Sequence, residues 1–415
     1  MEEQHYISSI WKDILASNQL HENDTAVFFY SRKKLIERIQ FLKNVFQPWS
    51  TLHTVAIKTN PHPVVLKCIV DSGLGLEAAS FEEVQLAMEA GARPEQVVYN
   101  SPVKTRHEIA ACVGRFEGLH LNANSIEELN RIPANAKLQI GLRVNPIAQP
   151  GGHDMFNVSG EDSKFGVPIT ERQAIIRAVR EQQVRTLHLH VGSQVSDLNA
   201  VVDALHRVVE LANEINDRHG QLITTINIGG GISAGDSIAH SEKSMAQYTE
   251  AIANRVPKLA ECFRVITEFG QWTHKHNGIV FSCIEYIKHF PQKKVAYVHV
   301  GADLFMREVY AKTSPLNFVF MEGKTAEPYT KNSEVFDIAG PLCFNGDYLA
   351  KDVLLPSLHE GDIMAIPSAG ANNYGLWSRH CSRDIPAMWS EHNESNELTK
   401  VCDRTKSIPT HSSIN

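Results

Sequence analysis

The sequence predicts a (β/α)8 TIM barrel followed by an all-β domain, and three observations lead there. Eight short, apolar, β-prone runs recur at 52–58, 75–79, 97–100, 120–124, 138–144, 186–192, 224–230 and 264–270. Amphipathic helical stretches separate most of them, most clearly Phe81 to Ala90 and Val201 to Ile215, with acids near their starts. After Gly270 the helices stop, and strand-like runs at 278–290, 294–302, 317–321, 333–340 and 362–368 follow one another across loops. Alternating strand–helix units also fit a doubly wound open sheet, and pattern alone leaves that alternative open.

Taken in order, a strand at Ala26–Tyr30 precedes the eight runs and is expected to join the all-β domain. The first run closes on Lys58, and Thr59-Asn60-Pro61 then breaks it. The segment from Asn145 to about Val167 is long and rich in Gly, Pro and His, like an active-site loop. The expected domains are a barrel over 28–275, a β-domain made of 1–27 and 276–395, and a polar, frayed tail over 396–415.

Composition narrows the function. A chain of 415 residues with 43% hydrophobic and 21% charged residues is an ordinary globular protein with room for two domains. The net charge of −7 comes without a basic stripe, which disfavours nucleic acid and anionic membrane as partners. The first thirty residues are acidic and polar, unlike a signal peptide, and no apolar run approaches the ~20 residues a membrane helix needs. Seven scattered cysteines (68, 112, 262, 283, 343, 381, 402) show no CxxC pair, and twenty histidines form no HExxH box. A cytoplasmic protein with reduced thiols and no metal site is expected.

In a parallel barrel the chemistry lies at the C-terminal tips of the strands. Lys58 at the first tip is either a solvated charge or an amine held in a pocket for Schiff-base chemistry. The sixth run ends His188-Leu189-His190-Val191-Gly192-Ser193, where alternation puts both histidines on one face. The bland alternative is a core histidine satisfied by a carbonyl. The seventh ends in Gly229-Gly230-Gly231, a turn whose N–H groups suit a phosphate or serve no ligand at all. The eighth ends Glu268-Phe269-Gly270, and a buried acid there needs a partner, either a protonated pyridine or a lysine. In the β-domain, Gly340-Pro341-Leu342-Cys343-Phe344-Asn345-Gly346-Asp347 places a thiol and a carboxylate in one turn-rich loop, although a lone cysteine is more often inert packing.

The order of these elements is the specific feature. It resembles the fold-type III pyridoxal-phosphate decarboxylases, the group of diaminopimelate, ornithine and arginine decarboxylases, over roughly residues 25 to 390. Leu76-Glu77-Ala78-Ala79-Ser80, Leu142-Arg143-Val144-Asn145 and Ser163-Lys164-Phe165-Gly166 carry the resemblance further. It implies an alanine racemase-like barrel that binds pyridoxal 5′-phosphate. Lys58 would carry the cofactor as a Schiff base and His190 would stack on its ring. Ser193, Gly229, Gly230, Gly231 and Gly270 would line the phosphate, and Glu268 would keep the ring nitrogen protonated. Loss of the α-carboxylate would leave a quinonoid, and Cys343 would protonate Cα. The family's cysteine comes from the neighbouring subunit, so a homodimer with composite sites is implied, with Asp347 close to the cysteine.

Departures from the family bear on function. Gln271 stands where the family has a phosphate-binding arginine, and Asn372 where it has a tyrosine. Losing a charged hydrogen bond costs about 1.5–3 kcal/mol, roughly ten- to hundredfold in affinity. Tyr374 or Arg379 is expected to compensate. Phe344 stands where diaminopimelate decarboxylases have an acid for the distal amine, and an apolar ring cannot pair an ammonium. Arg307 and Tyr310 occupy substrate-contacting positions, and Arg307 could clamp a distal carboxylate. The expected activity is decarboxylation of an amino acid or amino-acid conjugate. Two alternatives stand beside it: a catalytically silent homologue that acts by binding, and a racemase on the related barrel.

Overall fold

The computed structural model describes residues 2–149, 151, 157–331, 333–392 and 397–405. It divides into two units, Ile36–Thr273 and Met1–Leu35 with His274–Asn415.

The first unit is a closed barrel of eight parallel strands: β2 (Thr51–Ala56), β3 (Gly75–Ala78), β4 (Val97–Tyr99), β5 (His120–Ala123), β6 (Gln139–Asn145), β8 (Thr186–His188), β9 (Thr225–Asn227) and β10 (Arg264–Glu268). Each pairs with the next, and β10 returns to β2 with Glu268 opposite Thr54. A two-residue strand, β7 (Val167–Pro168), extends β6 on its outer side. The strands are short and apolar because both faces are covered, as in Val97-Val98-Tyr99, where all three are buried. The helices that cover them are written locally. Ser80 caps the helix Phe81–Glu89 by accepting from Glu83 N–H, and Glu83 returns the bond to Ala79 N–H. Helix Leu198–His219 starts at Asp197, which accepts from Asn199 and Ala200 N–H, and ends at Gly220 with φ 77°. Its Val201, Leu205, Val208, Ala212 and Ile215 recur at helical spacing and face inward. Burial of each such aliphatic side chain contributes roughly 1.5–3 kcal/mol.

Several strands stop earlier than their apolar runs. Regular pairing of β8 ends at His188, with Leu189 N–H still donating to Asn227 O and Gly192 bridging to Asn157, and β2 gives way to a 3-10 turn at Ile57–Thr59 that carries Lys58. Polar tips thus emerge from apolar staves. Residues 150 and 152–156 of the long segment after β6 lie outside the described residues.

The second unit is built on a mixed sheet in the order β15-β14-β12-β11-β1-β17-β18, with β16 and β13 added beside β11. These are β1 (Ala26–Tyr30), β11 (Gly278–His289), β12 (Lys294–Val298), β13 (Val319–Met321), β14 (Glu334–Ala339), β15 (Tyr348–Leu355), β16 (Ile363–Pro367), β17 (Ala387–Glu391) and β18 (Leu398–Cys402). Ala26–Tyr30 belongs to this sheet, so the barrel expected from residue 28 begins after it. β1 pairs antiparallel with β11 and parallel with β17, and all five of its residues are buried. On this β unit, helix Glu2–Ala16 packs Ile7, Ile10, Trp11 and Ile14 onto Phe29, Phe281 and Trp389. The frayed tail expected from residue 396 is corrected too: Leu398–Cys402 pairs with β17, while 406–415 lie outside the described residues. Among the described residues no helix is long and apolar enough to cross a membrane.

Candidate active site

Polar side chains converge where the barrel strands end. Lys58 donates from Nζ to Glu77 Oε2 at 3.2 Å; its side chain is 54% exposed and that of Glu77 only 2%. Desolvation pulls the Lys58 ammonium down, but Glu77, Glu268 and Glu83 together outweigh it and leave its pKa above the ordinary value. The amine is therefore reachable and charged.

Glu268, at the tip of β10, is buried. Its Oε1 accepts from Asn227 Nδ2 at 2.7 Å and from Asn100 Nδ2 at 2.5 Å, and its Oε2 lies 3.6 Å from His188 Nε2. Burial and the neighbouring Glu77 push its carboxyl up to about 7, against the pull of Asn227, Lys58 and Arg143. Arg143, on β6, stacks its guanidinium 4.4 Å from the Phe165 ring centre. Burial lowers it to about 10 while Glu268 and Glu77 hold it up. Burial, then Arg143 and Lys58, drives His190 down to about 3, and His188 is lowered as well, so both imidazoles are neutral.

The glycine turn after β9 requires its glycines. Gly229 and Gly231 have φ of 64° and 96°. A Cβ on Gly230 would sit 2.4 Å from the Glu268 carbonyl oxygen, and one on Gly231 2.0 Å from that of Gly192. Two of the three N–H groups are used within the site: Gly229 donates to Asn227 Oδ1 at 2.9 Å and Gly230 to His190 Nδ1 at 3.2 Å. That corrects the picture of three glycines all turned to one anion. Ser193 donates its hydroxyl to Gln271 Oε1 at 3.1 Å. Gly270 sits where a Cβ would be 2.6 Å from Thr59 Cγ2, which ties the start of that turn to the Lys58 turn.

The second unit holds the remaining residues. Cys343 is exposed, and its backbone N–H donates to Cys381 Sγ at 3.4 Å. Phe344 lies flat between two rings, with centres 5.2 Å from Tyr310 and 5.6 Å from His380 and 17° between planes in both cases. Arg307 is half-buried in the helix Met306–Tyr310, where burial lowers its pKa against the pull of Glu308. Asp347 is buried, with Oδ1 accepting from Ala302 N–H and Oδ2 from Leu342 N–H at 2.7 Å each, so it staples its own loop. Tyr374 packs on Phe28 with ring centres 5.6 Å apart and bonds to Cys402.

Sequence reasoning missed Asn100, Asn122 and Asn227, and gave no role to His188, Glu77 or Arg143. Five of the six lie on barrel strands near their C-terminal ends, and Asn100 lies just beyond β4. A search for polar residues at every strand tip would have found them.

Comparison with known proteins agrees with this geometry. Residues 32–274 match the model of the pyridoxal-dependent decarboxylase family's pyridoxal-binding domain. The chain is 27% identical over 370 residues to a diaminopimelate decarboxylase of Pseudomonas fluorescens, covering 86% of each chain. It is 28% identical over 387 residues to that of Aquifex aeolicus, covering 91% of this chain and 89% of the other. The fold matches a crystal structure of diaminopimelate decarboxylase from Helicobacter pylori complexed with L-lysine, with a TM-score of 0.83 at 23% identity over 95% of this chain and 96% of the other. With more than half its length matched by the family's own domain, the chain belongs to the pyridoxal-dependent decarboxylases.

Proposed function

We propose that this amino-acid decarboxylase acts through Lys58 on an α-amino acid whose distal end carries no ammonium. The observation that carries the reading is the placement of Lys58: one exposed amine 3.2 Å from Glu77 at the mouth of a barrel whose other tips present His190, Glu268 and a glycine turn.

The residues present fit pyridoxal phosphate. Glu268 has one oxygen filled by amides and one turned to a neutral histidine, the form expected of a partner for a pyridine nitrogen. The glycine turn packs too closely on the carbonyls of Leu189, Gly192 and Glu268 to admit any side chain, so backbone alone lines that end of the site. When bound, the cofactor supplies an aldehyde for the lysine and an electron sink for the pair left on Cα as carbon dioxide departs. Lys58 starts as an ammonium and must first lose a proton, for which Glu77 Oε2 is the nearest acceptor. His190 is neutral, and its Nδ1 is pinned by Gly230 N–H, which fixes the plane of a ring that adds no charge to the site. Glu268 holds the proton at the ring-nitrogen end. Ser193, Gln271 and Gly231 would meet the phosphate with neutral donors, which implies modest cofactor affinity. Cys343 would return a proton to Cα from a second copy of the chain, in a homodimer.

Substrate choice follows from the loop around Cys343. It offers the stacked rings of Phe344, Tyr310 and His380, and its one carboxylate, Asp347, faces inward. An ammonium would find no counter-charge there, whereas Arg307 suits a distal carboxylate. Carbon dioxide release should be fastest from amino acids with acidic or apolar distal ends, and Phe344→Glu should shift preference toward diaminopimelate or ornithine. Fastest release from those diamines by the unaltered protein would refute the substrate reading. Mixing Lys58→Ala and Cys343→Ala chains, each inactive alone, should restore part of the activity; no recovery would refute the shared site.

A further inference from the structure

Two asparagines donate to Glu268 and a third donates to one of them, and their bonds leave little freedom. Asn227 Oδ1 accepts from Gly229 N–H at 2.9 Å, so its amide must turn Nδ2 to Glu268 Oε1. Asn100 Oδ1 accepts from Asn122 Nδ2 at 2.8 Å, so its amide must also turn Nδ2 to Oε1. An oxygen that receives two fixed donors has no room to carry a proton. The other oxygen, Oε2, faces neutral His188.

We propose that Asn100, Asn122 and Asn227 are positioning residues that hold Glu268 Oε1 as a permanent acceptor, so that Oε2 alone takes and gives up a proton. Asn227 also links the glycine turn to Glu268, coupling the two ends of the cofactor site through one side chain. The charged and titratable groups around this carboxyl are Lys58 beyond β2, Glu77 on β3, Arg143 on β6 and His188 on β8, with His190 and Lys104 facing His188. The relay rests on the decarboxylase reading only in naming a pyridine nitrogen as what Oε2 would meet.

The test uses cofactor-free full-length protein. The infrared band of protonated carboxyl that Glu268→Gln removes reports the titration of Glu268 alone. Each amide donor favours the carboxylate, so Asn100→Leu should raise its midpoint by about one to two pH units. Asn122→Leu, which touches only Asn100, should move it the same way by less. A folded Asn100→Leu protein with an unchanged midpoint would overturn the relay, and an unchanged midpoint in Asn122→Leu would remove Asn122 from it. Should Asn100→Leu fail to fold, isosteric Asn100→Asp replaces an amide donor by a second acid, and an unchanged midpoint there overturns the proposal equally. The titration needs no cofactor, so its failure leaves the role of Lys58 standing, and the reverse also holds.

Discussion

At the scale of single residues, charge decides what each group can do. Lys58 and Lys104 make the contrast. Lys104 Nζ is fully buried and donates to Ser101 O, Asn122 O and Glu128 Oε2, which satisfies its three donors, whereas Lys58 has one partner and an exposed stem. Because the Lys58 pKa is raised, the reactive neutral amine grows scarcer as pH falls. Cofactor uptake, followed by absorbance, should therefore slow steadily from alkaline toward neutral pH, and a rate independent of pH over that range would contradict the raised pKa. Gln271 is the second test. Its replacement by arginine would put a charged donor beside Ser193, and Gln271→Arg should tighten pyridoxal phosphate binding by roughly ten- to hundredfold in a fluorescence titration. Asp347 and Tyr374 show what sequence conceals at this scale. Their partners are backbone N–H groups and a thiol distant in the chain, and no local pattern announces them.

At the scale of elements, apolar runs made the barrel strands legible because each stave is buried on both faces and bounded by capped helices. Their ends were not legible, since an apolar run continues past the last ladder bond, as Leu189 and Val191 do after β8. The barrel boundary expected at residue 28 cut through β1 for the same reason: Ala26-Val27-Phe28-Phe29-Tyr30 is apolar throughout and carries no mark of where the strand ends. β15 was missed because Lys351 and Asp352 interrupt its apolar pattern on an exposed stretch. The loop after β4 depends on the buried Lys104–Glu128 pair, 3.0 Å apart, with Glu128 also accepting from the N–H groups of Lys104 and Asn124. Lys104→Met leaves that carboxylate uncompensated. It should cost about 3–5 kcal/mol in denaturant unfolding, and a loss below about 1 kcal/mol, the scale of a surface pair, would show the pair to be dispensable.

At the scale of the whole molecule, buried neutral imidazoles set the acid limit. Burial lowers His53, His62 and His120 to about 4 and His190 and His274 to about 3. Below the ordinary value of 6.5 the unfolded chain takes up protons that the folded chain refuses, so this stability is present above pH 6.5 and lost as pH falls toward 4. His274 belongs to the β unit and the others to the barrel, so both units should lose denaturant resistance in that window. Glu268 and Glu83 act oppositely. With folded values near 7 against an ordinary 4.5, they favour the folded state at acid pH and cease to do so as pH rises through 7. Five histidines against two acids should leave a net fall on acidification, and a chain equally stable at pH 4 and 7 would contradict the burial pattern. The chemistry of the whole molecule turns on one amine. Borohydride reduction of the protein with pyridoxal phosphate, followed by peptide mapping, should place the reduced pyridoxyl group on Lys58 and on no peptide of the Lys58→Ala variant. A label on Lys104 or another lysine, or a band that survives in Lys58→Ala, would contradict it.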